Sequence, residues 1–179
     1  MDQIDQTTTK AFCRWCNSKF DCTQEEAANY IVSNGSCPTC SEAIFKSNNI
    51  ANIRDSIELI DDPVLVLQPE PRLVYTANNK AGRLFNKDIS QMEGVRGGQV
   101  FDCIQSFTEA GCGKDLNCEK CTIKQAIVDT LNTGNSFEGL KSPLDVKRGD
   151  NIISFILQIS TEKVGDFALV RIDEYKPVK

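Results

Sequence analysis

Nine cysteines and no histidine occur in 179 residues, and the cysteines are not scattered. Cys13-x2-Cys16 and Cys37-x2-Cys40 form two paired motifs separated by 20 residues. Each pair presents two sulfurs to one ion while the backbone amides of its turn point at them. Four thiolates complete the closed tetrahedral shell of structural zinc, so zinc is the metal this spacing calls for. A second group, Cys103, Cys112, Cys118 and Cys121, has one long spacer and one C-x2-C. Glycines flank Cys112, which lets backbone N–H groups approach sulfur. Such a set can wrap a cube of iron and sulfide, hold a second zinc, or remain as free thiols or a redox disulfide. The spacing alone leaves these three open. Cys22 fits neither group and is read as a packed or unligated thiol.

The first four-cysteine unit, residues 11–45, resembles zinc ribbons, although Asn17 and Ser41 stand where glycine is frequent after a knuckle. A unit this small buries too little core to fold by itself, so metal would supply its stability. The absence of histidine excludes Ser-His and Cys-His catalytic pairs, histidine-ligated haem and a phosphoacceptor histidine. No G-x4-G-K-S/T phosphate loop is present, and the adjacent acids Glu25-Glu26 and Asp61-Asp62 read as solvated surface. No enzyme activity is expected.

The net charge is −5, divided as −2 over residues 1–47 and −3 over the rest. Neither part has the basic field that nucleic-acid binding requires, so no nucleic-acid partner is expected. The longest apolar stretch, 152–159, is far short of a membrane span. The acidic first residues lack a signal-peptide core, and the paired cysteines read as metal sites of a reducing compartment. A cytoplasmic location follows as an expectation.

Several elements must position these cysteines. Residues 1–10 are polar and read as frayed, and 23–32 reads as a short helix with a Thr23/Glu26 capping box. Residues 41–61 read as a helix from the spacing of Ile44, Phe45, Ile53, Ile57 and Ile60, ended by Asp62-Pro63. Residues 64–67 and 73–76 read as a hairpin, with Asn78 capping a helical run through Ala81, Leu84 and Phe85. Residues 94–98 read as a flexible loop and 100–107 as a helical turn or two carrying Cys103. Residues 122–132 are a clear helix, and 137–140, 151–160 and 166–172 are strands. This order predicts an α+β fold, a five-stranded antiparallel sheet with helices packed on one side.

The order of elements also resembles the PAS family of sensor domains. The residues that carry it are Val64 to Leu67 and Arg72 to Phe85, with Asn78, Ala81, Leu84 and Phe85 at the family's spacing, and the last strand around 167–172. The match spans roughly 50–176, departing at Asn86 and at the cysteine-rich stretch 103–121. The resemblance implies three parts: a metal-binding unit over 11–45, a linker helix over 46–62, and a PAS domain over 63–176. PAS domains usually keep their cofactor in the helical half facing the sheet, where the second cysteine group falls. By resemblance its four cysteines would hold a 4Fe–4S cluster, with zinc as the alternative. The implied protein is a sensor of redox state or oxygen, paired as a homodimer through its flanking helix and signalling in trans. The alternative is a zinc-binding PAS adaptor for a protein or small ligand, with both cysteine sets structural.

Overall fold

The computed structural model describes residues 8–13, 18–23, 37 and 50–178. Thr23, the expected start of the 23–32 helix, ends a strand, and residues 24–32, residues 41–49, Cys16 and Cys40 lie outside the described residues.

Two short strands, β1 (Thr8–Phe12) and β2 (Lys19–Thr23), pair antiparallel in register Thr8↔Thr23. They flank the first cysteine knuckle, and the ordered strand reaches back into the residues expected to fray. Helix α1 (Ile50–Glu58) occupies the C-terminal part of the expected 41–61 helix.

The main body is one five-stranded antiparallel sheet in the order β4-β3-β7-β6-β5. Its strands are β3 (Val64–Leu67), β4 (Val74–Ala77), β5 (Phe137–Arg148), β6 (Asn151–Val164) and β7 (Phe167–Pro177). Between β4 and β5 run three helices, α2 (Asn79–Phe85), α3 (Ile89–Met92) and α4 (Gly97–Val100). Two 3-10 turns follow, Ile104–Phe107 and Leu116–Lys120, and then helix α5 (Thr122–Thr133). This is the α+β sheet with flanking helices that the PAS resemblance implies.

β3 is buried at all four positions, because both faces of the sheet are covered at its centre. Leu65, Leu67, Val170, Leu157 and Ile159 face the helices α2 to α5 across the larger core. Val64, Val66, Val164 and Leu169 face the other way, where Ile53, Ile57 and Ile60 pack on them with Cys13 and Cys37. The helices therefore do not all lie on one side: α1 covers the opposite face, and its apolar stripe is spent within the chain.

β5 and Leu84 also depart from the sequence expectation. Strand β5 runs to Arg148, eight residues past the expected end at 140. Ser142, Leu144 and Val146 are buried while the residues between them are exposed, the period of a half-buried strand. Pro143 hides that pattern, yet it is tolerated because β5 is the sheet's edge. Leu84, expected in the core, is 36% exposed, whereas Ala81 and Phe85 are buried as expected. On a helix of seven residues only one face meets the sheet.

Candidate thiolate site

Cys103, Cys112, Cys118 and Cys121 all line one cavity of about 370 Å³. The sheet supplies its apolar wall through Leu65, Leu67, Leu144 and Val170, and α5 supplies Ile123 and Ile127.

Each cysteine is placed by a local backbone device. Cys103 follows α4, where its N–H donates to the Gly98 carbonyl at 2.8 Å. It then forms an antiparallel bridge with Val146 of β5. It sits between α4 and the next 3-10 turn, where the sequence had placed it on a helix. Cys112 lies between two glycines in the left-handed region, Gly111 (φ 75°) and Gly113 (φ 81°). That conformation is cheap for glycine and strained for other residues. Cys118 is buried in the second 3-10 turn, whose start is capped by the Asp115 carboxylate accepting from the Asn117 N–H at 2.9 Å. Cys121 is the N-cap residue of α5, so its side chain stands at the positive end of a 12-residue helix.

One sulfur accepts a backbone hydrogen bond, and two others stand near backbone N–H groups that favour their anionic form. The Gly113 N–H donates to Cys118 Sγ at 3.2 Å, and the N–H groups of Gln105 and Gly98 serve Cys103 and Cys112. Gly98 is also a close approach. A Cβ there would stand 2.9 Å from the Cys112 Cβ and nearer still to its sulfur. Gly113 packs against the guanidinium groups of Arg96 and Arg72.

Burial pushes the Cys103 thiol up to about 11, opposed by the Gln105 N–H and reinforced by the other three cysteines. Burial also raises Cys112, opposed by the Gly98 N–H and by Arg96. Both sulfurs therefore keep their protons at neutral pH until something positive replaces them. Among the described residues, no three thiol or acidic side chains close on a common point in the manner of a single-ion site. They ring the cavity instead. Four thiols on one cavity, with Asp145 as the lining carboxylate and glycines beside Cys112, fit a thiolate-bound metal group.

In the first unit, the structure brings together two of the four expected ligands. Cys13 and Cys37 are both buried, and the Cys37 N–H donates to Cys13 Sγ at 3.2 Å. The Cys13 N–H donates to the Ser18 carbonyl at 2.8 Å, closing the turn between β1 and β2. Cys22 pairs through its backbone with Thr9 in the hairpin.

Sequence reasoning missed Arg72, Arg96, Lys124 and Gly98. Only Gly98 left a signal, as part of a Gly-Gly pair five residues before a cysteine, and that stretch was read as a flexible loop. It is instead the first turn of α4.

No known protein family's sequence model matches the chain, and no curated protein matches it. Among solved structures, it is similar to a LOV protein of Rhodobacter sphaeroides, at 15% identity and a TM-score of 0.42, over 75% of this chain. The chain spans 64% of that protein's length. It is also similar to the PAS domain, in complex with ethanol, of a LuxR-family transcriptional regulator from Burkholderia thailandensis. That match has 8% identity and a TM-score of 0.43, over 69% of this chain and 95% of that one. Among the described residues no helix is long and apolar enough to cross a membrane.

Proposed function

We propose that this chain is a signalling module whose five-stranded domain senses redox state or oxygen through a metal–thiolate group. Cys103, Cys112, Cys118 and Cys121 would hold it, and an iron–sulfur cluster is the first choice. The observation that carries this reading is the convergence of all four thiols on one cavity against the sheet. When bound, such a cluster would supply a redox-active and oxygen-labile centre. A single zinc would need all four sulfurs drawn to roughly 2.3 Å from one point.

The chain's own residues supply the rest. The N–H groups of Gly98, Gln105 and Gly113 hold three sulfurs in place and stabilise their anionic form. The apolar wall from the sheet limits water at the site. Asp102, next to Cys103, pairs with Lys87 at 2.6 Å and with Arg148, and Arg148 donates to the Tyr175 hydroxyl at 3.1 Å. A shift of Cys103 would thus be felt at the ends of β5 and β7. Signalling to a partner in trans would start from those ends or from α1. In the first unit, Cys13, Cys16, Cys37 and Cys40 are proposed to hold structural zinc, a reading supported by the Cys37 N–H on Cys13 Sγ.

The test is purification without oxygen, followed by iron, sulfide and zinc analysis of the whole chain and of a Cys118→Ser variant. About four iron and four sulfide per chain, lost in the variant together with broad visible absorption, are expected. An absence of iron and sulfide in the wild type overturns the cluster. Two zinc per chain in place of iron would instead favour the adaptor reading, in which both cysteine sets are structural.

A further inference from the structure

Two guanidinium groups face the cysteine ring, and the chain gives them little else to do. The side chains of Arg72 and Arg96 are only 16% and 14% exposed. Among the described residues, the one carboxylate either reaches is Glu70, which contacts Arg72 and stands 3.7 Å from Arg96. That carboxylate is 62% exposed, so water already satisfies much of it. Two largely covered cations sharing one solvated anion are only partly compensated. Both converge on Gly113, the residue whose N–H serves Cys118.

The wider lining points the same way. Arg72, Arg96, Lys120 and Lys124 line the cavity, with Asp145 as the lining carboxylate. Lys124 is fixed there by donating to the Gly113 carbonyl at 3.0 Å. Four cations, less Asp145 and the paired Glu70, leave a surplus of two positive charges. Four thiolates around a divalent ion, or around a cluster core of charge +2, carry about two negative charges. The surplus matches the deficit.

We propose that Arg96, seconded by Arg72, is a positioning residue for the thiolate site: its guanidinium is the counter-cation that lets four buried thiolates and their metal group carry net negative charge. This rests on the reading that the four cysteines hold a metal group. It says more than that reading, because it names non-ligand side chains on which the affinity depends. It also gives a reason for two arginines to be largely covered on the β3–β4 turn and at the start of α4.

The experiment compares the whole chain as wild type, Arg96→Gln, Arg96→Lys, Arg72→Gln and Cys118→Ser. Each is loaded without oxygen, once with iron and sulfide and once with zinc alone. Metal held at the second site is the difference from Cys118→Ser, and affinity is read by competition with a chelator. Arg96→Gln should weaken retention roughly 10- to 100-fold, the scale of outer-shell effects on metal sites. Arg96→Lys should recover most of it, because it keeps the charge and loses only the fork. Arg72→Gln should fall between them. If Arg96→Gln and Arg72→Gln both stay within about twofold of wild type, the proposal is overturned while the thiolate reading stands. If wild type and Cys118→Ser hold equal metal, the thiolate reading itself fails, and this proposal with it. Circular dichroism reports folding. Should Arg96→Gln not fold, Arg72→Gln and Arg96→Lys decide: affinity within about twofold of wild type in the first, or a loss of roughly tenfold or more in the second although its charge is kept, overturns the proposal.

Discussion

Asn78 was legible in the sequence as a helix cap, and it is one: its Oδ1 accepts from the Ala81 N–H at 3.0 Å. The same oxygen also accepts from the Val64 N–H at 3.0 Å, at the start of β3. Its Nδ2 donates to the Ile57 carbonyl at 3.1 Å and the Asp62 carbonyl at 2.8 Å. One fully buried amide thus ties α1, the loop after it, β3 and α2 together. The long-range bonds were not legible, because nothing in the local sequence says what the amide's far side meets. Asn78→Ala should cost about 2–4 kcal/mol by denaturant unfolding, a lost cap plus stranded buried carbonyls. Asn78→Asp separates the two roles. Aspartate caps as well as asparagine but cannot donate to Ile57 and Asp62, so it should also destabilise. Wild-type stability in Asn78→Asp would reduce the residue to a cap. Glycine supplies a second comparison at this scale. Gly98→Ala should push Cys112 off its place and reduce metal loading, whereas at neighbouring Gly97 the nearest atom to a new Cβ is 3.5 Å away. Gly97→Ala should therefore load normally, and equal loss in both variants would refute the cradle.

At the scale of elements, α1 makes a contact that the sequence did not place. Its isoleucine spacing announced a helix with an apolar stripe, and the resemblance suggested a flanking lever. The structure uses that stripe on the outer face of the sheet, with Ile57 fully buried against the cluster of Val64, Val66 and Leu169. Which sheet face a helix will cover cannot be read from its own periodicity, because the periodicity fixes a stripe and not a partner. Ile57→Ala should cost about 2–5 kcal/mol, the range for a buried aliphatic side chain truncated in a packed core. Amide exchange should rise at Val64, Val66 and Leu169 while α5 stays protected. Uniform loosening of the whole sheet would mean that α1 is not a separate layer. The β5 strand teaches the complementary lesson. Its alternation was present at Ser142, Leu144 and Val146, but Pro143 and the charged residues beside it made an edge strand look like a loop.

In the whole molecule, Cys13 and Cys37 of the first group and the four cysteines of the second lie on opposite faces of the same central strands. Leu65, Leu67 and Val170 wall the second group's cavity, while Val64, Val66 and Leu169 pack with Cys13 and Cys37. Spacing made the division of cysteines into four, one and four legible. That β3 and β7 form a shared wall was not, since it depends on a pairing between residues 64–67 and 168–171. The burial that creates the second cavity also fixes how the metal-free chain should respond to pH. Cys103 titrates at about 11 in the folded chain against an ordinary 9.0, and Cys112 is raised as well. Below pH 9 both states keep these protons, and the contribution to stability is fully present. As pH rises past 9 the unfolded chain loses them first, so the folded state binds more protons and its stability falls toward pH 11. Metal uptake has the opposite sign, because each thiol must give up its proton to bind, and affinity should rise with pH over the same range. Urea unfolding of the metal-free chain at several pH values, beside a Cys103→Ser, Cys112→Ser double variant, isolates the effect from lysine and tyrosine titration. The wild type should lose more stability than the variant between pH 9 and 11. Parallel curves would mean that the two thiols ionise as freely in the folded chain as in the unfolded one, and that the cavity does not hold them protonated.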